Sequence, residues 1–205
     1  TNTVQQIGGG RTYTLVTNGT NLQLLVQSNA SPNPAFWTNA RGTNSWATIS
    51  GTNTTNWSSD SAGTMDTLQV PGGGTTDVFF TASNATAPIT TTLDGSYSIN
   101  SLTFQGSSPT NTNAVTISNG TGTNTLTISG GGITTQTGTQ PHLISSKVAL
   151  GTSQTWTLAA GTTLTVSGVI NDFNAGFSLT KGGAAGNTGT LILSSGANSF
   201  LGGVT

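Results

Sequence analysis

Residues 124–170 read "NTLTISGGGITTQTGTQPHLISSKVALGTSQTWTLAAGTTLTVSGVI". Three apolar–Thr–apolar triplets punctuate this stretch: LTI at 126–128, WTL at 156–158 and LTV at 164–166. Side chains along a strand alternate between its two faces. Each triplet therefore turns its outer residues to one side and its central Thr to the other. Leu126 and Ile128 are assigned to an interior, and Thr127 to solvent. Gly, Ser, Asn and Thr fill the gaps, and these are turn formers.

The same unit recurs on both sides. VTI stands at 115–117, and LIL at 191–193 is its fully apolar variant. DVFFT (77–81), ITTTL (89–93), YSINSLTF (97–104) and HLISSKVAL (142–150) complete a train of short strands. Their centres lie roughly ten to thirteen residues apart, a spacing shared by sandwiches, barrels and solenoids. Three features favour the solenoid. The strands are very short. Tight hairpin loops are scarce, SNGTG at 118–122 being the one candidate in the train. The pattern also runs to the last residue without a polar cap. Each coil of a solenoid buries its inner side against its neighbours. At about 20–25 residues per coil, residues 77–205 would form about five or six coils, stacked about 4.8 Å apart.

The chain before residue 77 reads differently. YTLVTNGTNLQLLVQ (13–27) has the form of two strands joined by a TNGT turn. SPNP (31–34) breaks the pattern. Trp37, Trp46 and Trp57 follow in an aperiodic Gly/Thr/Asn-rich stretch, and VPGGG (70–74) punctuates again. Three parts are drawn: an N-terminal strand pair at 1–36, with a docking role towards a neighbouring unit, a Trp-rich cap or linker at 37–76, and a β-solenoid at 77–205.

Composition narrows the function. The 205 residues include 43 Thr, 23 Ser, 19 Asn and 29 Gly, together more than half the chain, with no Cys and no Glu. Disordered chains of similar polarity carry more charge and Pro, whereas here the net charge is −1 and spaced apolar residues make up 32%. Four basic residues neutralise few phosphates, which argues against a nucleic-acid partner. No apolar run is long enough for a membrane-spanning helix. The start, TNTVQQ, suggests a processed product or a piece of something larger.

The C-terminal stretch carries a resemblance. LTK (179–181), GTLILS (189–194), GAN (196–198), Phe200 and GGVT (202–205) resemble, in that order, the autotransporter-associated β-strand repeat of passenger domains and giant secreted bacterial proteins. Residues 37–178 are similar, more loosely, to the segments that precede this repeat. The spacer at 182–188 (GGAAGNT) is longer than the family's, and Phe200 stands where Tyr is commoner. The resemblance implies an all-β, right-handed parallel β-helix with a Trp-containing, loop-rich N-terminal region. It also implies a location outside the cell or on a bacterial surface, and a structural or adhesive role without chemistry.

Site candidates follow from these readings. The five Asp are scattered, so no catalytic carboxylate pair is assigned, and neither is a cofactor or a metal. Asp60, Asp66 and Asp77 share a loop-rich region but lack a Ca²⁺ repeat signature, and they read as solvated or turn-capping groups. His142, between Pro141 and Leu143, reads as a turn residue. Trp37, Trp46 and Trp57 have two readings, a packed aromatic cap, which is favoured, or a flat platform for glycans. Outward Thr116, Thr127, Thr157 and Thr165 are too unevenly spaced for an ordered ice-binding array. An uncapped coil invites another chain. The expected assembly surface is Leu191, Leu193 and Phe200 of the last coil, meeting Tyr13, Leu15, Leu22 and Leu24 of a next unit head to tail. The expected function is a subunit or segment of a surface fibre. The alternative is an adhesive passenger that binds glycans or neighbouring cells.

Overall fold

The computed structural model describes residues 3–4, 11–18, 21–28, 31–50, 54–85, 89–106, 113–183 and 189–205. Every regular element among them is a strand. Strands β1 (Thr3–Val4), β2 (Arg11–Asn18) and β3 (Asn21–Ser28) form an antiparallel sheet, with Asn18 opposite Asn21. The strand pair read from YTLVTNGTNLQLLVQ is therefore present. Short strands follow: β4 (Ala35–Trp37), β5 (Ile49–Ser50), β6 (Thr54–Thr55) and β7 (Trp57–Ser58). The remaining elements are β8 (Asp77–Phe80), β9 (Ile89–Leu93), β10 (Tyr97–Phe104), β11 (Val115–Asn119), β12 (Thr125–Thr135), β13 (His142–Ile144), β14 (Lys147–Leu150), β15 (Gln154–Leu158), β16 (Thr163–Val166), β17 (Ile170–Asn171), β18 (Leu179–Gly182) and β19 (Thr190–Leu193).

From β8 onward every pairing is parallel, and the chain winds as a β-solenoid with three faces. The first face stacks β4, β8, the second half of β10, the second half of β12, β15 and β18. The second stacks β9, β11, β13, β16 and β19. The third stacks the opening halves of β10 and β12, then β14 and β17. Five strands on the second face make about four turns. Successive partners there are 26, 27, 22 and 27 residues apart (Ile89, Val115; Thr116, Leu143, Thr165, Ile192). On the first face Leu102 and Ile133 are 31 apart. Three of the four second-face spacings exceed the 20–25 residues expected and one, 22, lies within it, and the solenoid has about four turns rather than five or six. SNGTG is a corner between the second and third faces, not a hairpin, since β11 and β12 have different partners.

Alternation places the core as the triplets predict. Leu126 and Ile128 are buried and Thr127 is partly exposed, and Leu164 and Val166 flank Thr165 in the same way. GGGITT (130–135) lies wholly within β12. At the corner inside β12, Gly132 has φ +64°, and a Cβ there would lie 2.1 Å from the Thr155 carbonyl of the next coil. Only glycine lets β12 change faces at that distance. Buried residues at one register of the first face form a continuous stack: Trp37, Phe80, Phe104, Thr135 and Leu158. Thr135 is the one polar member, and its hydroxyl shares a 2.6 Å hydrogen bond with that of Thr162.

Candidate functional site

The two ends of the solenoid are built differently. At the N-terminal end the chain folds back over the first coil. Ala35 and Phe36 stack in register on Val78 and Phe79, and β7 closes β4 from the other side as an antiparallel partner. Trp46 joins the second face, where its backbone N–H donates to the Thr92 carbonyl at 3.0 Å. Strands β4 and β7 and residue Trp46 are thus stacked on the first coil. Trp37, Trp46 and Trp57 are at most 1% exposed. Trp57 meets Trp37 and Trp46 edge-on at 5.0 Å, and all three border Phe80. Trp46 Nε1 donates to Thr91 Oγ1 and Trp57 Nε1 to the Trp46 carbonyl. These tryptophans form the packed cap. The glycan-platform reading is corrected, because no indole face is left for a sugar ring to stack on.

At the other end, no described strand covers β19. Leu191 and Leu193 pair with Leu164 and Val166 of the coil below. Leu164 and Val166 are 0% exposed, whereas Leu191, Leu193 and Phe200 are only partly buried against the core. Residue type and register are alike, and the difference is that no described strand stacks on β19. Strand β19 has β16 as its sole partner among the described residues. Ile192 within it, and Leu201 and Val204 further along the chain, are exposed. Lys181 sits opposite Trp156, an inward register position, yet its side chain reaches solvent at this end.

The motif pieces act as coil-to-coil fasteners. Asn198 Oδ1 accepts the Ile170 N–H at 2.8 Å, and the Ser199 N–H donates to the Ile170 carbonyl. One asparagine thus replaces a backbone acceptor and extends the third face without a full strand. Val204 bridges to Leu179, and the Thr205 N–H donates to the Leu179 carbonyl. Gly202 lies so close to Phe177 that a Cβ would come within 2.5 Å of its backbone. Asp172 is a residue that sequence reasoning missed. Its buried carboxylate accepts N–H groups from Asn174, Gly176, Phe177 and, across the coils, Leu201, at 2.9–3.0 Å. The Leu201 N–H foremost, then those of its own loop, hold its carboxyl below the usual carboxylate range. The only sequence signal was a lone Asp followed by a Phe-Asn-Ala-Gly turn.

The other candidates are dispersed. The backbone register sets Tyr13 opposite Val26, Leu15 opposite Leu24 and Leu22 opposite Thr17. Leu22 is exposed, and the side chains of Tyr13, Leu15 and Leu24 lie outside the described residues. The spacer at 184–188 also lies outside them. Asp60 binds Thr64, Asp66 binds Thr55 and the Leu68 N–H, and Asp77 binds Asn100 and Ser101. Each carboxylate has its own structural duty. Among the described residues no group of three or more acidic or His side chains converges on a metal site. No helix among them is long and apolar enough to cross a membrane. Thr116 and Thr165 share the second face with Leu143 between them in register, Thr127 lies on the third face and Thr157 on the first, so the four make no single array.

His142 is not a turn residue. It opens β13, is 2% exposed, and stacks on Phe104 with ring centroids 4.1 Å apart. Its Nδ1 accepts the Val115 N–H at 3.1 Å, which places the proton on Nε2, an atom without a partner among the described residues. Burial pushes its pKa down to about 4. Pro141 suggested a turn, but the strand pattern His-Leu-Ile continues through His142 with the inward phase.

Comparison with protein-family models, with curated proteins and with solved structures gives no match.

Proposed function

We propose that this chain is a structural segment of an extracellular surface fibre in which β-coils stack head to tail. The observation that carries the reading is the burial step along one ladder. Leu164 and Val166 are enclosed, while Leu191 and Leu193, one coil later, are half-covered on a strand that, among the described residues, pairs along one edge. A parallel edge with apolar inner side chains is completed by another coil. The occupant proposed is the N-terminal sheet of a second copy, because β3 has only β2 as a partner among the described residues. Its contact with the C-terminal coil is heterologous and open-ended, the geometry of a filament. The incoming strand must also offer Lys181 an acceptor, since covering this end removes its water.

The resemblance of 179–205 to autotransporter-associated repeats supports a bacterial surface location and a role without chemistry. No observation favours the adhesive alternative through the tryptophans, because their rings are internal.

Negative-stain electron microscopy of the purified chain tests the proposal. Filaments are expected at high concentration, and Leu191→Asp with Leu193→Asp should abolish them while leaving the β-rich circular dichroism spectrum intact. Dispersed monomers at all concentrations, or filaments that survive both substitutions, would overturn it.

A further inference from the structure

A pocket of about 470 Å³ opens where the capping segment meets the first corner of the solenoid. Neither the cap nor the open end uses it. One wall comes from the capping segment and includes Val70 and Pro71. The other is the turn into β10, which contributes Asp94, Ser96, Tyr97 and Ser98.

The polar groups on the second wall have unused capacity. Tyr97 packs its ring at 5.3 Å from that of Trp46, which fixes its position, and its hydroxyl makes no hydrogen bond among the described residues. Burial, then the Asp94 carboxylate, raises the Tyr97 pKa, so the phenol keeps its proton and remains a donor. Asp94 is exposed and accepts one hydrogen bond among the described residues, from Thr92 Oγ1 at 3.2 Å. Ser96 Oγ accepts the Thr125 N–H and so has its own hydrogen to give. The volume lies in the range of small-molecule sites.

We infer that this pocket binds one neutral hexose unit of a glycan, with Val70, Pro71 and the Tyr97 ring against the sugar's C–H face and Asp94, Ser96 and the Tyr97 hydroxyl on its hydroxyls. A pyranose has this split character, an apolar face with a rim of donors and acceptors. The lone carboxylate and the absence of Lys or Arg from the lining disfavour anionic sugars. A small organic cation would find an exposed, water-screened carboxylate and leave most of the space and the serine hydroxyls idle. The inference does not depend on end-to-end assembly.

The test is a titration of the ¹⁵N-labelled chain with methyl glucoside, methyl galactoside, methyl mannoside and N-acetylglucosamine, with choline as the cationic control. At least one hexose should give saturable shifts confined to 70–73 and 94–98. Asp94→Asn should weaken that binding about tenfold or more and Tyr97→Phe about fivefold, as expected for losing a charged and a neutral hydrogen bond. Both substitutions keep the shape of the wall, and unchanged resonances elsewhere confirm the fold. Three outcomes overturn the inference: no hexose shifts these residues, binding survives both substitutions, or choline alone occupies the pocket.

Discussion

The N-terminal coil is closed by side chains that belong to no repeat, whereas the last coil is closed by nothing among the described residues. At the first end Trp37, Trp46 and Trp57 turn edge-on to one another and cover Phe80. At the other, Leu191, Leu193 and Phe200 repeat the inward pattern of earlier coils but remain partly open. A solenoid coil cannot bury its own two sides, so it needs either a neighbour or a dedicated cap. Aromatic residues make good caps because each covers a large area and its N–H can find a partner.

Substitutions should separate these ends. The largest effect is expected at the cap. Trp46→Ala should destabilise the chain by about 4 kcal/mol, as a truncated buried aromatic does, measured by urea unfolding. A loss under about 1 kcal/mol would mean that the cap is not part of the cooperative unit. Next comes the ladder itself. Leu164→Ala should cost about 3 kcal/mol, and Leu191→Ala less than about 1 in dilute monomer, because only the first leaves an enclosed cavity. Equal losses would show that the last coil is already covered in solution.

Acid should also discriminate. His142 has a folded pKa of about 4 against an ordinary 6.5. The unfolded chain therefore binds the proton first, and stability falls as pH drops from 6.5 towards 4. The lost contribution approaches about 3 kcal/mol. His142→Leu should flatten this dependence. Asp172 is shifted downward from 3.8, so the stability it gives holds above that value and is lost only at lower pH. Near pH 4.5, hydrogen exchange should thus rise around Val115 and His142 before it rises at Gly176, Phe177 and Leu201. The reverse order would break the contrast. The smallest effect is expected for Asn198→Ala, about 1 kcal/mol for the acceptor lost from the Ile170 N–H, the usual size for one neutral hydrogen bond. It should appear as faster exchange of that amide.

Much of the fold was legible because period-two patterning is local. The triplets at 115–117, 126–128, 156–158, 164–166 and 191–193 all lie in strands with the predicted inward phase. The corners were less legible. HLISSKVAL splits into β13 and β14 on different faces, and the strand through Gly130–Gly132 bends without ending. Gly and Ser promote turns and bulges alike, so their presence does not say which will form. His142 and Asp172 were missed for a related reason. Their roles depend on the Val115 and Leu201 amides, 27 and 29 residues away.

The amino-acid sequence by itself determined the all-β character, the strands that carry the apolar–Thr–apolar triplets and which side of each of those strands faces inward. Those properties are set by side-chain alternation and composition over a few residues. Tertiary structure decided how many residues make a turn, which strands share a face, that the three tryptophans lie inside a cap, and that the two ends differ. Each of these rests on contacts between residues about ten to forty-five positions apart, and no short window of sequence carries that register.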